Sequence, residues 1–223
     1  MADQRAELTW RDGGVPVSEQ FDDPYFSLEN GLEETRHVFL AGNELPARFR
    51  PGFHIAELGF GTGLNLLTAW AMWEQSGQPG ALRFTTFEAF PMAPDDMARA
   101  LAAFPALAPW AARFLAVWTG TGAVALETLD FEMIEGDARE TLPGWAGRAD
   151  AWFLDGFSPA KNPELWGEDL LTQVARHTAP GGTAATYTAA GFVRRGLEAA
   201  SFAVERAPGY GRKRHMTRAR MPQ

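Results

Sequence analysis

The chain has 223 residues, of which 46% are hydrophobic and eight are tryptophan. This length and apolar content predict one large folded domain, or one domain with a small appendage, and exclude a disordered chain. The absence of cysteine excludes disulfides, and four scattered histidines lack the spacing of a metal site, so we expect no metal. No apolar run approaches the roughly 20 residues of a membrane span, and the N-terminus lacks a secretory h-region. We therefore expect a cytoplasmic protein with no membrane partner.

Charge is distributed unevenly along the sequence. The formal net charge is −8, yet residues 206–223 contain six basic side chains and no acidic one. The rest of the chain is left with 14 basic and 28 acidic residues. A basic C-terminal segment on an acidic body predicts a localised anion-binding face. Charge alone supports equally well a solvated strand or tail.

The predicted elements fall into two parts in chain order. Residues 1–50 mix turn signals with short apolar stretches and a predicted helix at 32–40, and we interpret them as an N-terminal extension packed on a main domain of residues 51–223. From Phe53 onward strands and helices alternate, which is typical of an α/β fold with a mostly parallel sheet covered on both faces. Seven strands are predicted, at 53–58, 82–88, 131–135, 150–155, 182–187, 201–206 and 213–219. Helices are predicted at 63–75, 94–103, 106–116, 138–142, 164–177 and 190–199.

The segment 57–65 (ELGFGTGLN) joins the first of these strands to a predicted helix. Gly59, Gly61 and Gly63 can supply unusual dihedral angles, and without a Cβ they let a ligand press against the backbone. The start of the helix adds unpaired N–H donors and a partial positive charge. The segment therefore predicts a nucleotide-type ligand site.

Acidic residues follow the next strands, at the sheet edge where ligands gather in such folds. Glu88 ends the second strand, 29 residues after Gly59, and is positioned to accept hydrogen bonds from ribose hydroxyls. Asp137 follows the third strand and is positioned to accept a bond from an adenine amine. A surface acid and a helix N-cap, respectively, are the competing interpretations. Glu57 is expected to orient the glycine loop indirectly.

Asp155 is the residue most expected to act chemically. It ends the most apolar predicted strand and enters a loop whose glycine, prolines and aromatic residue suit it to hold a flat group beside a cofactor. A helix-capping turn at 162–164 is the alternative. That alternative explains the end of the loop, but it does not explain a carboxylate at the end of an apolar strand.

Together these features resemble a class I S-adenosylmethionine-dependent methyltransferase with a Rossmann-like fold. Four longer segments are similar to those of the MnmD family, which also occurs as the N-terminal module of the bifunctional enzyme MnmC. They are 30–40 (NGLEETRHVFL), 152–163 (WFLDGFSPAKNP), 190–197 (AGFVRRGL) and 209–214 (GYGRKR). The resemblance covers essentially the whole chain.

The resemblance implies transfer of a methyl group from S-adenosyl-L-methionine to the amine of 5-aminomethyl(-2-thio)uridine at the wobble position of tRNA. The implied cofactor-binding residues are Tyr25, Glu57, Gly59, Phe60, Gly61, Gly63, Asn65, Glu88, Asp137, Ala138 and Asp155. Asp155 is the expected catalytic residue, which hydrogen-bonds the amine, orients its lone pair and helps to take the departing proton. Because an aspartate with a pKa of about 3.9 is a poor base for an ammonium, we expect orientation to be its main role.

Binding partners follow from the same resemblance. The expected substrate-binding residues are Phe157, Lys161, Arg194, Arg195, Arg212, Lys213 and Arg214, with Tyr187 as a second candidate for stacking on a base. The implied partners are the tRNA anticodon loop and an FAD-dependent oxidoreductase domain, fused or separate, that produces the aminomethyl substrate.

Three alternatives remain open at the level of sequence. An aminopropyltransferase that uses decarboxylated S-adenosylmethionine shares the fold and a similar loop after the fourth strand, but the basic C-terminal segment argues against it. An RNA-binding module that only retains the fold would make the glycine turn and its acids relics. A nicotinamide-dependent dehydrogenase is disfavoured by the late position of Glu88 and by the added Asp137.

Overall fold

The structure is a computed structural model that describes residues 5–27 and 30–223. Within these ranges the strands are β1 (Leu8–Arg11), β2 (Val15–Ser18), β3 (Asp23–Pro24), β4 (His54–Leu58), β5 (Leu82–Glu88), β6 (Gly122–Leu126), β7 (Leu129–Glu135), β8 (Ala149–Leu154), β9 (Thr178–Thr186), β10 (Ala203–Pro208) and β11 (His215–Arg220). The α-helices are α1 (Gly31–Thr35), α2 (Leu64–Ser76), α3 (Pro94–Leu101), α4 (Ala108–Leu115), α5 (Ala138–Thr141), α6 (Glu168–Arg176) and α7 (Gly191–Ala199). None of the helices in the described ranges is long and apolar enough to cross a bilayer.

The main sheet has eight strands in the order β10-β11-β9-β8-β4-β5-β7-β6. The five central strands, from β9 to β7, are parallel, and the strands beyond them pair antiparallel. Every residue of β4 and β8 is buried, because central parallel strands are covered on both faces. The predicted α/β class is confirmed.

Two hydrophobic clusters cover the two faces of this sheet. Neighbouring residues of a strand point to opposite faces, so Phe153 of β8 belongs to one cluster and Trp152 to the other. The first cluster contains Trp70 of α2 and Phe114 of α4, and the second contains Leu171 of α6. With its helices on both faces, the sheet leaves its strand ends free to form a site.

The prediction of seven strands in the main sheet was wrong by one, because β6 was missed. β6 pairs antiparallel with β7 at the sheet edge. Its sequence, GAVAL, begins with Gly122 at a φ of +85° and buries only Val124, so it carries almost no alternation of apolar and polar residues. Such an edge strand gives little sequence signal.

Two of the predicted helices are interrupted. The segment 164–177 consists of a 3-10 turn, Pro163–Trp166, followed by α6, with Gly167 in an extended conformation between them. The segment 32–40 consists of α1 and one π-helical turn, Arg36–Leu40. In addition, β9 begins at Thr178, earlier than the predicted 182.

The N-terminal residues form a small antiparallel sheet in the order β1-β2-β3. Val15, Phe26 and Val38 are buried in the same hydrophobic cluster as Ile55 of β4. The N-terminal segment therefore packs on the hydrophobic core of the main domain. The division of the chain at residue 50 stays a prediction.

Candidate active site

A cavity of about 1780 Å³ opens at the carboxyl ends of the parallel strands. The loops that follow β4, β5, β7 and β8 line it, together with the N-terminal segment and the loop between β10 and β11. Pockets for a single small ligand are commonly about 300–1,000 Å³. The cavity therefore has room for a cofactor and for part of a second molecule.

Most of the residues predicted for the site line this cavity. They are Tyr25, Gly59, Phe60, Gly61, Asn65, Glu88, Asp137, Ala138, Asp155, Phe157, Lys161, Arg212 and Lys213. Tyr187, the second stacking candidate, lines it as well. The residues outside its lining are Glu57, Gly63, Arg194, Arg195 and Arg214.

The glycine loop bends tightly against other parts of the protein. Gly59 has a φ of +86°, and a Cβ there would lie 2.2 Å from the carbonyl oxygen of Asp155. A Cβ on Gly63 would lie 2.5 Å from Cε of Met97. At these two positions the absence of a side chain lets two chain segments pack closely, whereas we had expected it to admit a ligand. Phe60 contributes its backbone to the cavity, because its ring packs in the core against Phe131.

Glu88 holds the glycine loop in place. Its Oε2 accepts hydrogen bonds from the backbone N–H groups of Phe60 (2.8 Å) and Gly61 (3.1 Å), and its Oε1 accepts one from Phe90 (2.8 Å). A carboxylate offers about four acceptor positions, so one position remains on Oε1. Glu88 can therefore accept a bond from one ribose hydroxyl without releasing the loop, but not from two.

Asp137 is the N-cap of α5, which confirms the competing interpretation of this residue. Its Oδ1 accepts the backbone N–H of Arg139 at 2.9 Å, and its two oxygens also bind the guanidinium of Arg139. The pKa of Asp137 is lowered, chiefly by the hydrogen bonds from Arg139. A contact to adenine would have to be shared with this arginine, which also lines the cavity.

Asp155 is linked to two other side chains, Glu57 and Thr35, through Asn65. The amide nitrogen of Asn65 donates to Oδ2 of Asp155 (2.7 Å) and to Oε1 of Glu57 (2.9 Å), and its oxygen accepts from the hydroxyl of Thr35 (3.0 Å). Asn65 has no amide hydrogen left for a cofactor, because both are used within the protein. In the part of the chain that the structure describes, no donor lies within hydrogen-bond distance of Oδ1 of Asp155, so this oxygen faces the cavity.

The two carboxyl groups of this network have raised pKa values. Burial raises the pKa of Asp155 to about 7, although the hydrogen bond from Asn65 and the charge of Lys213 lower it. Burial also raises the pKa of Glu57 well above its usual range, against hydrogen bonds from Asn65 and Thr86. The fold thus keeps a carboxyl group that titrates near neutrality at the cavity wall, which is typical of functional sites.

Phe157, predicted to stack on a base, lies in an aromatic group at the cavity mouth. Its ring stacks on Phe21 with centroids 4.8 Å apart and meets the edge of Tyr25 at 5.0 Å. Lys161, in the same loop, donates to the carbonyl oxygen of Asp22 and lies 3.6 Å from the carboxylate of Asp23. Lys161 therefore joins the loop to the N-terminal sheet and is not free for RNA.

The basic residues of the prediction differ in their surroundings. Lys213 lies 2.7 Å from Oε1 of Glu34, inside the cavity. Arg195 and Arg214 are exposed on the surface, and Arg194 is half-buried with an Nε that has no hydrogen-bond partner. These three arginines lie outside the lining of the cavity.

Sequence reasoning missed several residues of the cavity wall. Glu34, Phe21, Asp23 and Arg139 all line it. Glu34 lies in the segment 30–40, whose only functional signal in the sequence is its similarity to the MnmD family. Phe21 and Asp23 precede the first predicted helix in a stretch where only turn signals were evident.

The order of the strands, the glycine loop after β4 and the acids at the strand ends define a class I Rossmann-like methyltransferase. The family described as S-adenosyl-L-methionine-dependent methyltransferase matches residues 104–222. The chain therefore belongs to this family, and S-adenosyl-L-methionine is its cofactor.

The curated relatives include the "tRNA 5-methylaminomethyl-2-thiouridine biosynthesis bifunctional protein MnmC" of Pseudomonas paraeruginosa. It is 49% identical over 225 residues, which cover 96% of this chain and 34% of the relative. The protein of the same name from Chromobacterium violaceum is 47% identical, with 97% and 34% covered. The chain thus spans about a third of the length of these relatives, and the predicted resemblance is confirmed.

Solved structures agree with this assignment. The crystal structure of MNMC2 from Aquifex aeolicus superposes with a TM-score of 0.76 at 26% identity and covers 100% of this chain and 73% of that chain. TrmN from Thermus thermophilus shares the fold, with a TM-score of 0.52 at 18% identity, over 81% of this chain and 47% of that one. The alternatives of an aminopropyltransferase and a non-catalytic module are not favoured.

Proposed function

We propose that this chain methylates the exocyclic amine of 5-aminomethyluridine or 5-aminomethyl-2-thiouridine at the wobble position of tRNA. The names of the curated relatives support the substrate. The observation that carries the chemistry is the carboxyl group of Asp155. It is fixed by Asn65 at 2.7 Å, it leaves one oxygen toward the cavity, and it lies directly against the glycine loop.

The role of Asp155 follows from the protonation state of the substrate amine. The amine must lose its proton before it can attack, and an alkylamine is largely protonated near neutral pH. A carboxyl group with a pKa of about 7 is a better proton acceptor than an ordinary aspartate, since its affinity for the proton is closer to that of the amine. We infer that Asp155 both orients the amine and receives its proton, and the raised pKa gives proton transfer more weight than the sequence alone predicts.

The remaining groups of the cavity serve to bind and position. S-adenosyl-L-methionine, when bound, supplies a methyl group on a sulfonium that is already a good leaving group, so orientation of the nucleophile is the main requirement. The glycine loop, Tyr25, Ala138 and the free acceptor position of Glu88 are the groups proposed to hold it. Asn65 and Glu57 are assigned to positioning Asp155.

The second molecule in the cavity is proposed to be an unstacked base of the anticodon loop. Proteins read single-stranded RNA by splaying bases out and stacking them on aromatic rings, and the rings of Phe157 and Tyr187 both lie at the cavity wall. Arg194, Arg195, Arg212 and Arg214 are the proposed contacts to phosphates. A cytoplasmic location and an FAD-dependent oxidoreductase that supplies the amine belong to the same proposal.

Mass spectrometry of nucleosides tests this function. Aminomethyl-bearing tRNA is incubated with the protein and methyl donor, and we expect a gain of one methyl group on the wobble nucleoside. Asp155→Ala is expected to lower turnover at least 100-fold, the low end of the range for general acid–base catalysis, while cofactor affinity measured by titration calorimetry stays within about twofold. The matched control Asp130→Ala removes an exposed carboxylate on β7 and is expected to keep full turnover. A methyl group on another nucleoside, or full activity of Asp155→Ala, contradicts the proposal.

A further inference from the structure

The side-chain ammonium group of Lys213 already occupies part of the cavity. Nζ of Lys213 lies 2.7 Å from Oε1 of Glu34 and 4.0 Å from the centre of the Tyr187 ring. A carboxylate combined with an aromatic face is a common way for proteins to bind an alkylammonium. The cavity therefore contains a recognition site for such a cation, beside the proposed catalytic residue.

Glu34 and Tyr187 are fixed to the framework that holds Asp155. The hydroxyl of Tyr187 donates to the carbonyl oxygen of Gly156 at 2.7 Å, one residue after Asp155. Glu34 precedes Thr35, whose hydroxyl donates to Asn65, the residue that binds Asp155. Both groups are thus held in a constant relation to the carboxyl group that is proposed to accept the proton.

Lys213 is held more loosely than its two partners. It lies in the loop 209–214 between β10 and β11, and its side chain is 47% exposed, compared with 20% for Glu34. The side chain can leave the cavity by rotation about its own bonds, without movement of the loop backbone. Arg212 and Arg214 flank it in the same loop, so outside the cavity it would join the basic groups of that loop.

We propose that Lys213 holds, in the RNA-free protein, the place that the substrate ammonium takes, and that Glu34 and the Tyr187 ring receive this ammonium when the wobble nucleotide enters. The proposal rests on the function proposed above, since it needs an amine substrate. It makes Glu34 a specificity-determining residue that favours a charged aminomethyl group over a neutral group of similar size. It also makes the ammonium group of Lys213 a competitor of the substrate for the site formed by Glu34 and the Tyr187 ring.

The test compares two anticodon stem-loop RNAs that differ at one atom. One carries 5-aminomethyluridine and the other 5-hydroxymethyluridine at the wobble position, and both are bound to the protein loaded with demethylated cofactor. The quantity measured is the ratio of the two dissociation constants, because any general loss of RNA binding or folding cancels in it. Glu34→Gln is expected to reduce the preference for the aminomethyl RNA about tenfold, the usual effect of losing one charge-assisted hydrogen bond.

Two more variants complete the test. Lys213→Met is expected to increase the preference for the aminomethyl RNA several-fold, because the internal competitor is gone. Glu33→Gln, next to Glu34 but exposed and paired with Arg36, is the matched control and is expected to leave the ratio unchanged. An unchanged ratio in Glu34→Gln, or a lower one in Lys213→Met, overturns the inference. Failure of the proposed function is a separate result, in which wild-type protein transfers no methyl group to the aminomethyl RNA.

Discussion

The location of Asp155 at the cavity suits its carboxyl group to proton transfer, but the ionised carboxyl group destabilises the native state. Its carboxyl group is surrounded by protein on one side and by the cavity on the other, and among the described residues only Asn65 donates a hydrogen bond to it. The native state raises its pKa to about 7 from an ordinary value of 3.8. Between these pH values the unfolded chain releases a proton that the native state keeps, so the native state loses stability as the pH rises.

This effect gives a prediction for Asp155→Asn. The full shift corresponds to about 4 kcal/mol, but water in the cavity screens the charge, and we expect a gain of about 1–2 kcal/mol at pH 7.5. Near pH 4 the wild-type residue is protonated in the native state and about half ionised in the unfolded chain, and the two proteins should differ by only about 0.5 kcal/mol in unfolding free energy. Thermal or urea unfolding of both proteins from pH 4 to 7.5 measures the difference. Parallel curves over this range would contradict the raised pKa.

Gly59 offers a second prediction at this scale. Its positive φ and the 2.2 Å approach of a Cβ to the carbonyl of Asp155 mean that Gly59→Ala must strain the backbone and displace the strand end. We expect a loss of about 3 kcal/mol or more in unfolding free energy, from positive-φ strain together with the forced backbone shift, and loss of methyl transfer.

Gly77→Ala is the matched control for this change. Gly77 has a similar φ, +69°, but nothing lies within 4 Å of the added Cβ. We expect it to cost only about 1 kcal/mol and to keep activity. Equal losses in the two variants would show that strain alone, and not the contact with Asp155, makes glycine necessary at position 59.

Residue positions were predictable where a local rule applied, and side-chain partners were not. Asp155 and Glu88 lie at the cavity because ligands gather at the carboxyl ends of parallel strands, a rule that can be applied to sequence. Lys161 and Lys213 are predicted as RNA contacts from the family resemblance, yet both are paired with carboxylates. Those carboxylates lie 139 and 179 residues away along the chain, at Asp22 and Glu34, and no local pattern indicates them.

At the scale of elements, the central strands were the easiest to predict. β4 and β8 are mostly apolar because both faces are covered, and the predicted bounds of β4, β5 and β8 differ from the observed ones by one residue or less. β6 and the strands of the N-terminal sheet are short, from two to five residues. Their formation depends on pairing with neighbours, such as β7 for β6, and that pairing is a tertiary contact.

The polar contacts between the N-terminal sheet and the loop after β8 give a prediction about the mobility of that loop. Lys161 pairs with Asp22 and Asp23, and Asp23 also accepts the backbone N–H of Ser158 at 3.0 Å. Lys161→Met removes partly exposed ion pairs worth about 0.5–1 kcal/mol, so we expect hydrogen exchange of amides 157–162 to become roughly two- to fivefold faster.

The matched control for these contacts is Arg36→Met, which removes an exposed ion pair with Glu33. Exchange of amides 157–162 is expected to stay at the wild-type rate in that variant. An unchanged rate in Lys161→Met would mean that the loop is held by its aromatic contacts alone.

At the scale of the whole molecule, the arginines of the basic C-terminal segment 206–223 divide into two groups with different roles. Arg218 and Arg220 of that segment both pair with Glu44, at 3.2 and 2.6 Å, and serve the fold. In the part of the chain that the structure describes, Arg212 and Arg214 have exposed side chains without such a carboxylate. The prediction of an anion-binding face from the charge of residues 206–223 is therefore narrowed to the loop 209–214.

The salt dependence of tRNA binding tests this separation. Replacing Arg212 and Arg214 with Ala should reduce the slope of log affinity against log salt by about 1.4, at about 0.7 for each phosphate contact on single strands. Replacing Arg218 and Arg220 with Ala should leave the slope unchanged, although it lowers the unfolding free energy. Equal slopes for the two double variants would contradict the assignment.

The most direct measurement of the central claim is a crystal structure of the protein with demethylated cofactor and an anticodon stem-loop that carries 5-aminomethyluridine. We predict that the cofactor lies against the glycine loop 59–63, with the wobble amine between its sulfur and Asp155, and with Oδ1 of Asp155 hydrogen-bonded to the amine nitrogen directly or through one water. A cofactor bound elsewhere, or an Asp155 carboxyl group turned away from the amine, would contradict it.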